Sequence, residues 1–318
     1  MKNFISVKDV TDIEALLSKA LHIKHKPLEY THIGKNKTIG LLFMNPSLRT
    51  RMSTQRAAYN LGMNVMVINL NKDNWQLEFE NGAVMNGTGS EHIKEAAGVI
   101  SQYCDIVGLR SFPGLIDRNK DYNEDIFNSF LINLTIPLVS LESATLHPLQ
   151  SFADIITIKE NFNGNKTPKV VLSWAPHIKP LPQAVSNSFA EWALASEFDF
   201  VITHPEGYEL NKKFTNGATI THNQEEALKD ADFVYVKSWS SYSDYGTMPE
   251  VKTDWLLNKK KMSLSNNARI MHCLPVRRNV ELTDELIDDP SCSLIMQQTG
   301  NRVVSAQTIL TEILSSIQ

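Results

Sequence analysis

The chain has 318 residues, of which 42% are hydrophobic and 21% charged, and its formal net charge is −4. This length exceeds that of most single domains, so we expect two domains. The acidic balance disfavours a general nucleic-acid binder, and any anion site must be a local cluster of positive charge.

Short apolar, β-branched runs alternate with helical patterns such as HIKEAAGVISQY and PQAVSNSFAEWALASE. The predicted strands lie at 37–44, 64–70, 104–110 and 136–142, and then at 169–175, 199–204, 232–238, 268–274 and 292–297. Continuous apolar strands separated by helices are typical of parallel sheets covered on both faces. The chain is therefore predicted to be α/β, with two doubly wound parallel-sheet domains and the active site in the cleft between them.

The polar stretch NFNGNKTPK (161–169) is predicted to join the two sheets, and a helix from about His147 to Glu160 leads into it. We expect a first domain at 1–146 and a second at 147–301. The closing helix, 302–318, has no strand after it and is expected to pack back on the first domain.

Polar residues cluster directly after the predicted strands. Parallel sheets bind ligands beyond the carboxyl ends of their strands, so this clustering predicts a site there. The residues at these positions are Ser47 to Arg51, Arg110, Glu142, His147, His177, His204, Lys237, Cys273, Arg277 and Arg302.

The stretch NPSLRTRMSTQ (45–55) places Arg49 and Arg51 where a buried strand gives way to a helix. Helix starts are already positive, so further positive charge there favours a bound anion. With Arg110 and Arg302, four arginines lie at predicted sheet edges, which indicates a phosphate site. The alternative is a serine N-cap with two solvated arginines.

No standard nucleotide motif explains such a site. The sequence contains neither GxxxxGK[ST] nor GxGxxG before a helix, which disfavours ATP and NAD. Cys104, Cys273 and Cys292 are too scattered for a disulfide framework or a CxxC metal site, and no metal-ligand cluster is apparent, so neither a metal nor another cofactor is expected. Without a recognisable signal peptide or membrane span, a cytoplasmic protein is expected.

Two further motifs follow strands. In LHPLQSFAD (146–154), His147 and Gln150 share one face of a helix start and could bind a carbonyl oxygen that gains negative charge; the alternative is a structural histidine cap. In MHCLPVRRN (271–279), Cys273 is either a small buried residue or a nucleophile without a convincing base.

Together these motifs resemble a known family. Ser47-Leu48-Arg49-Thr50-Arg51 resembles the Ser-Thr-Arg-Thr-Arg carbamoyl-phosphate loop of the aspartate and ornithine carbamoyltransferases, and HPLQ (147–150) resembles their His-Pro-x-Gln. HCLP (272–275) is similar to the ornithine branch. The resemblance implies that Arg110, His147, Gln150 and Cys273 are catalytic. It also implies that carbamoyl phosphate is bound by Ser47, Leu48, Arg49, Thr50, Trp75, Arg110, His147, Gln150, Leu274 and Arg302.

The chain departs from the ornithine branch after the strand FVYVKSW (233–239), where Lys237 stands and the family's Ser-Met-Gly element is absent. That element binds a free α-amino group, so the resemblance shifts to bacterial N-acylornithine carbamoyltransferases. It implies acylornithine binding by Ser90, Glu142, His177, Lys237, Cys273, Leu274 and Arg277. The alternative is that Lys237 is a solvated surface lysine.

The resemblance implies carbamoyl transfer to an N-acylornithine in arginine biosynthesis. Acetyl-specific relatives carry a glutamate just before the Glu-His pair found here as Glu91-His92, whereas this chain has Ser90, which favours N-succinyl-L-ornithine over N-acetyl-L-ornithine. A homotrimer is implied, in which Trp75 reaches a neighbouring subunit's site; the alternative is Trp75 packed on its own core. A competing class is a non-catalytic carbamoyl-phosphate-binding protein.

Overall fold

The computed structural model describes residues 1–70, 72–248 and 252–317, and the chain divides into two compact units. Unit 1 comprises Met1–Gly114, Asn119–Leu149 and Arg302–Gln318, and unit 2 comprises Leu115–Arg118 and Gln150–Asn301. Each unit is built on its own parallel sheet with accompanying helices. The prediction of an α/β chain with two parallel-sheet domains is confirmed.

The unit 1 sheet has four parallel strands in the order β2-β1-β5-β6. Its strands are β1 (Thr38–Phe43), β2 (Asn64–Asn69), β5 (Ile106–Arg110) and β6 (Leu138–Glu142), and a separate short pair is formed by β3 (Leu77–Glu78) and β4 (Glu91–His92). The helices of the first half of the chain are α1 (Ile13–His25), α2 (Arg49–Asn60), α3 (Ile93–Tyr103), α4 (Arg118–Tyr122), α5 (Asp125–Asn133) and α6 (Pro148–Asn161).

Burial of apolar side chains positions the unit 1 strands. Every residue of β5 and β6 is buried. β5 is a central strand with apolar faces, and the outer strand β6 is covered along its edge by Phe4, which forms a β-bridge with Val139. Leu42, Val107 and Leu138 of the strands form one core with Ile93 and Phe130 of the helices. The carboxyl ends of the neighbouring strands β1, β5 and β6 lie side by side at one edge of the sheet, because the strands are parallel.

The unit 2 sheet has five parallel strands in the order β11-β10-β7-β8-β9. Its strands are β7 (Lys169–Trp174), β8 (Asp199–Thr203), β9 (Thr219–Thr221), β10 (Phe233–Lys237) and β11 (Arg269–Met271). The helices of the second half of the chain are α7 (Ala184–Ala195), α8 (Lys212–Thr215), α9 (Gln224–Leu228), α10 (Lys259–Met262), α11 (Asp284–Ile287) and α12 (Ile295–Ser316). The core of this unit includes Val171, Val201, Val234 and Ile270 from the strands and Leu228 and Leu286 from the helices.

One predicted strand was wrong, and one strand was missed. Residues 292–297 form a single bridge, Ile270 with Ser293, and then enter α12 at Ile295. A short apolar run does not distinguish a strand from the buried start of a helix, which explains the error. The three-residue strand β9 was missed because it is too short for an alternating pattern.

No helix in the described part of the chain is both long and apolar enough to cross a membrane.

Candidate active-site residues

A buried ion pair lies at the carboxyl-terminal edge of the unit 1 sheet. Arg110 ends β5 and Glu142 ends β6, and a register shift after Leu109 places them opposite each other. Arg110 Nε and Nη2 donate to Glu142 Oε2 at 3.0 and 2.9 Å. Arg110 Nη1 also donates to the carbonyl oxygens of Asn45 and Pro46. These contacts hold the guanidinium in one orientation.

His147, the residue before α6, is buried beside this pair, with its Nε2 3.8 Å from Glu142 Oε2. Burial, and then the charges of Arg302, Arg110 and Arg49, hold the pKa of His147 well below its usual 6.5. Among the described residues, its buried Nδ1 has no hydrogen-bond partner. His147 is therefore neutral at pH 7, and a neutral imidazole can donate one hydrogen bond to an oxygen that gains negative charge.

The start of α2 carries Arg49 and Arg51, and Arg302 of α12 is hydrogen-bonded to it. Leu48, not Ser47, is the N-cap residue, and no side chain caps the helix, so the predicted alternative of a serine cap is wrong. No acidic residue lies in the first turn either, and the free N–H groups of the helix keep their partial positive charge. Arg302 Nη2 donates to Thr50 Oγ1 at 2.6 Å. Ser47 and Leu48 line a cavity of about 370 Å³.

Arg49 and Arg51, two residues apart, have different surroundings. Arg51 Nη2 donates to Asn69 Oδ1, and its guanidinium lies 4.9 Å from the centre of the Phe43 ring. Arg51 thus ties α2 to the ends of β1 and β2. Arg49 is half-buried, and its Nε has no hydrogen-bond partner within the described ranges of the chain. Arg49 is the arginine of this pair that is available to an anion.

Glu142 belongs to unit 1, although the sequence assigned it to the acylornithine set. We call Arg49, Thr50, Arg110, Glu142, His147 and Arg302 the arginine group.

Trp75 and Ser90 lie in a connection that the β3–β4 pair partly orders. Trp75 is 58% exposed, and its Nε1 donates to the Glu91 carboxylate at 2.7 Å. The alternative that Trp75 packs on the core of its own chain is therefore wrong. Ser90 is exposed, and its N–H donates to the Gln76 carbonyl oxygen at 2.9 Å.

Glu124 holds the turn that carries His147, and sequence reasoning missed it. Its carboxylate accepts hydrogen bonds from Ser143 Oγ at 2.6 Å, from the Ala144 N–H at 3.0 Å, and from the N–H and Oγ1 of Thr145 at 2.8 and 2.5 Å. Glu124 itself has a φ of 55°, in the left-handed region that is unfavourable for a side chain of this size. Glu124 therefore adopts an unfavourable backbone conformation, while its carboxylate accepts four hydrogen bonds from the turn at residues 143–146.

In unit 2, Lys237 ends β10 and is only 8% exposed, so the alternative of a solvated surface lysine is wrong. Its Nζ donates to the Ser238 carbonyl oxygen at 2.9 Å. Arg277 Nε donates to His177 Nε2 at 2.9 Å, while His177 Nδ1 donates to the Lys179 carbonyl oxygen at 2.8 Å. Burial, followed by the charges of Lys237 and Arg277, lowers the pKa of His177 and keeps its ring neutral.

Cys273 is a buried thiol. Burial raises its pKa, so it carries its proton at pH 7 and lacks the thiolate that a nucleophile needs. Leu274 has a φ of 57°, and the Leu274–Pro275 peptide bond is cis. Non-glycine residues with a φ in the left-handed region, such as Leu274, concentrate at functional sites.

A second carboxylate supports the turn after Leu274. Glu281 Oε2 accepts from the Arg277 N–H at 2.7 Å, and its Oε1 lies 3.4 Å from His272 Nε2. Burial alone would raise the pKa of Glu281, but the contact with His272, the Lys237 charge and the Arg277 N–H together lower it well below 4.5. We call His177, Lys237, Cys273, Leu274, Arg277 and Glu281 the lysine group.

Gln150 lies on the first turn of α6 and is almost fully buried. Its Nε2 donates to Asp154 Oδ1 at 2.7 Å, and Gln298 Nε2 donates to the same oxygen at 2.7 Å. Sequence reasoning missed Asp154, although the i,i+4 spacing of Gln150 and Asp154 was a usable signal.

Comparison with known proteins places these residues in a family context. The profile described as "Aspartate/ornithine carbamoyltransferase, carbamoyl-P binding domain" matches residues 2–160, and the one described as "Aspartate/ornithine carbamoyltransferase, Asp/Orn binding domain" matches residues 182–313. An N-succinylornithine carbamoyltransferase of Bacteroides fragilis is 47% identical over 100% of both chains. An N-acetylornithine carbamoyltransferase of Xylella fastidiosa is 34% identical over 99% of both chains.

Solved structures agree with this context. A variant of N-acetyl-L-ornithine transcarbamylase in which a glutamate is replaced by serine, complexed with carbamyl phosphate and N-succinyl-L-norvaline, has a TM-score of 0.92. It is 33% identical to this chain, and the match covers 98% of this chain and 100% of the other.

Removing the Glu124 side chain is expected to destabilise the protein. Glu124→Ala leaves the N–H groups of Ala144 and Thr145 without acceptors, which should lower the free energy of unfolding by about 2–4 kcal/mol. Urea unfolding of purified protein measures this. Glu197→Ala is the matched control, because Glu197 has a similar φ of 56° but is exposed. Equal losses in both variants would contradict a specific role for the Glu124 carboxylate.

Proposed function

The chain belongs to the aspartate/ornithine carbamoyltransferase family and is a carbamoyltransferase, and from this premise we propose that its acceptor is the side-chain amine of N-succinyl-L-ornithine. The products are N-succinyl-L-citrulline and phosphate, and the reaction serves arginine biosynthesis. The observation that carries the N-acyl assignment is the buried Lys237 at the end of β10.

Carbamoyl phosphate binds to the arginine group in this proposal. Ser47, Leu48, Arg49, Thr50, Arg110 and Arg302 hold the phosphate, with the uncapped start of α2 contributing backbone N–H groups. The excess positive charge of this group supports the assignment, because its six residues include three arginines and one carboxylate, Glu142.

The reaction forms one bond and breaks one. The unprotonated amine attacks the carbamoyl carbon, the C–N bond forms, and the bond from that carbon to the phosphate oxygen breaks. The departing phosphate accepts the proton that the amine loses. Thr50, Arg110, His147 and Gln150 stabilise the carbamoyl oxygen as it gains charge, and the neutral His147 fits this role because it has an N–H to donate. Cys273 and Leu274 contribute backbone carbonyl oxygens around the amine.

The lysine group favours an acylated substrate over free ornithine. The ammonium of Lys237 and the guanidinium of Arg277 outweigh the single carboxylate of Glu281, so the group carries net positive charge. A free α-ammonium would be repelled there, whereas a neutral acylamide is not and a substrate carboxylate is attracted. His177, Lys237 and Arg277 are assigned to the acylornithine on this basis. Glu142 and Ser90 are assigned to it from the family resemblance alone.

The succinyl assignment rests on Ser90. A glutamate at this position would repel the second carboxylate of a succinyl group, and serine removes that repulsion. Two comparisons support the assignment: the Bacteroides fragilis relative is named for N-succinylornithine, and an N-acetyl-L-ornithine transcarbamylase with glutamate replaced by serine is found with N-succinyl-L-norvaline. The second candidate acceptor is N-acetyl-L-ornithine.

A panel of acceptors tests the proposed function. The enzyme is assayed with carbamoyl phosphate and with free, acetyl- or succinyl-ornithine, and citrulline-type product is measured. We expect the highest kcat/KM with succinylornithine, and Ser90→Glu should shift the preference toward acetylornithine. Ser90→Gln is the matched control, because it adds similar volume without charge. A wild type that prefers acetylornithine would refute the role of Ser90, and one that prefers free ornithine would refute the N-acyl assignment.

Arg49→Ala tests the phosphate site. Loss of one charged contact to the transition state should lower kcat/KM by about 100–1,000-fold. The melting temperature without ligand should stay nearly unchanged, because Arg49 Nε is not bonded to the described parts of the chain. Arg51→Ala should do the reverse and lower the melting temperature, since Arg51 ties α2 to Asn69. Near-normal activity of Arg49→Ala would rule out this assignment.

We further propose that the protein is a homotrimer in which Trp75 completes the carbamoyl-phosphate site of a neighbouring subunit. The 58% exposure of Trp75 supports this, because a large apolar ring is left for a partner to cover. Mixed trimers of Trp75→Ala and Arg110→Ala subunits should regain part of the wild-type activity, because some sites then contain neither substitution. Verified mixed trimers without any regained activity would argue against shared sites.

A further inference from the structure

Three potential metal ligands converge in unit 2 outside the arginine and lysine groups. His204 directly follows β8 and His222 directly follows β9, and the last residues of these strands, Thr203 and Thr221, are register partners. The two imidazole rings are therefore neighbours, with centroids 5.0 Å apart. Glu209 completes the cluster, and one ligand atom of each residue lies within 4.8 Å of the others. The sequence indicated no metal-ligand cluster, and this grouping corrects that expectation.

Hydrogen bonds leave the same nitrogen available in both rings. His204 Nδ1 is 2.8 Å from the Pro205 carbonyl oxygen, and His222 Nδ1 is 2.9 Å from the His204 carbonyl oxygen. A carbonyl oxygen only accepts, so each Nδ1 carries the proton and each Nε2 carries a lone pair. Metal-ligating histidines show this arrangement, in which a backbone carbonyl fixes the tautomer and the orientation of the ring.

Burial and chain geometry make one ligand rigid and two adjustable. His204 is buried, so packing fixes the position of its imidazole ring. His222 and Glu209 are exposed. Gly207, with a φ of 86°, allows the turn that returns the chain to Glu209, whose Oε1 accepts from the Gly207 N–H at 3.1 Å. Small movements of the exposed side chains can bring the ligand atoms to the roughly 2.0–2.2 Å bonds of zinc.

We propose that His204, Glu209 and His222 bind one divalent transition-metal ion of the zinc class, with the fourth position open to solvent. Two imidazoles and one carboxylate are a donor set that suits zinc and disfavours magnesium, which prefers oxygen ligands. The ion would link the 204–209 turn to the end of β9. Tyr208 of the same turn accepts a hydrogen bond from Trp239 Nε1 at its carbonyl oxygen, so the turn is also tied to the chain after β10.

Metal binding is measured on the full-length protein after chelator treatment and dialysis. Equilibrium dialysis with Zn²⁺ should give one ion per chain, with Mg²⁺ unable to compete. His222→Asn is the main variant: asparagine can keep an N–H toward the His204 carbonyl oxygen but lacks the distal nitrogen. Loss of a group that only hydrogen-bonds to a metal ligand lowers affinity by about 10–100-fold. Because His222→Asn removes a ligand itself, the zinc affinity should fall by more than this. Glu209→Gln should also weaken binding.

Two controls separate this site from other ligands. His32→Asn removes an exposed histidine elsewhere, and Cys292→Ser removes a thiol, and neither should change the affinity. With Co²⁺ in place of Zn²⁺, the absorption spectrum should show imidazole and carboxylate coordination without a thiolate charge-transfer band. Absence of stoichiometric binding in the wild type, or unchanged affinity in His222→Asn, would overturn the proposal.

Discussion

The buried pair of Arg110 and Glu142 is the interaction on which the arginine group depends. An unpaired buried charge costs several kcal/mol, so Arg110 can be fixed at the end of β5 only because Glu142 ends the neighbouring strand. One carboxylate does not neutralise three arginines, however. Arg49 at the start of α2 and Arg302 of α12, which donates to Thr50, leave an excess of positive charge. Burial and then this excess lower the pKa of His147 and keep it neutral. The same excess of positive charge therefore supports both the proposed phosphate site and the neutral state of His147.

The lysine group repeats this electrostatic pattern with different chemistry. Lys237 and Arg277 exceed the one negative charge of Glu281, and His177 between hydrogen-bond partners stays neutral. Planar guanidinium groups suit phosphate oxygens, whereas an ammonium is a compact point charge that suits a carboxylate. In the proposed function, the arginine group therefore suits the phosphate of carbamoyl phosphate, and the lysine group suits a substrate carboxylate.

Two glutamates, one in each unit, stabilise backbone turns. Glu124 accepts hydrogen bonds from the turn at residues 143–146, and Glu281 accepts from the Arg277 N–H. Buried N–H groups without acceptors are costly, so these carboxylates make the turns after β6 and β11 rigid.

Local order in the sequence determined much of this protein. Apolar runs of strand length predicted eight strands of the two sheets, and the positions at their ends singled out Arg49, Arg110, His147 and Lys237, because parallel strands present their carboxyl ends at one edge.

Tertiary structure decided what local patterns do not encode. Thr50 and Arg302 are 252 residues apart yet hydrogen-bonded, and Glu124 meets its turn across an intervening strand. His204, Glu209 and His222 form a cluster only through the register of β8 with β9. These contacts join residues that are distant in sequence. They depend on the register of neighbouring strands and on the path of the loops between them, which residue spacing does not specify.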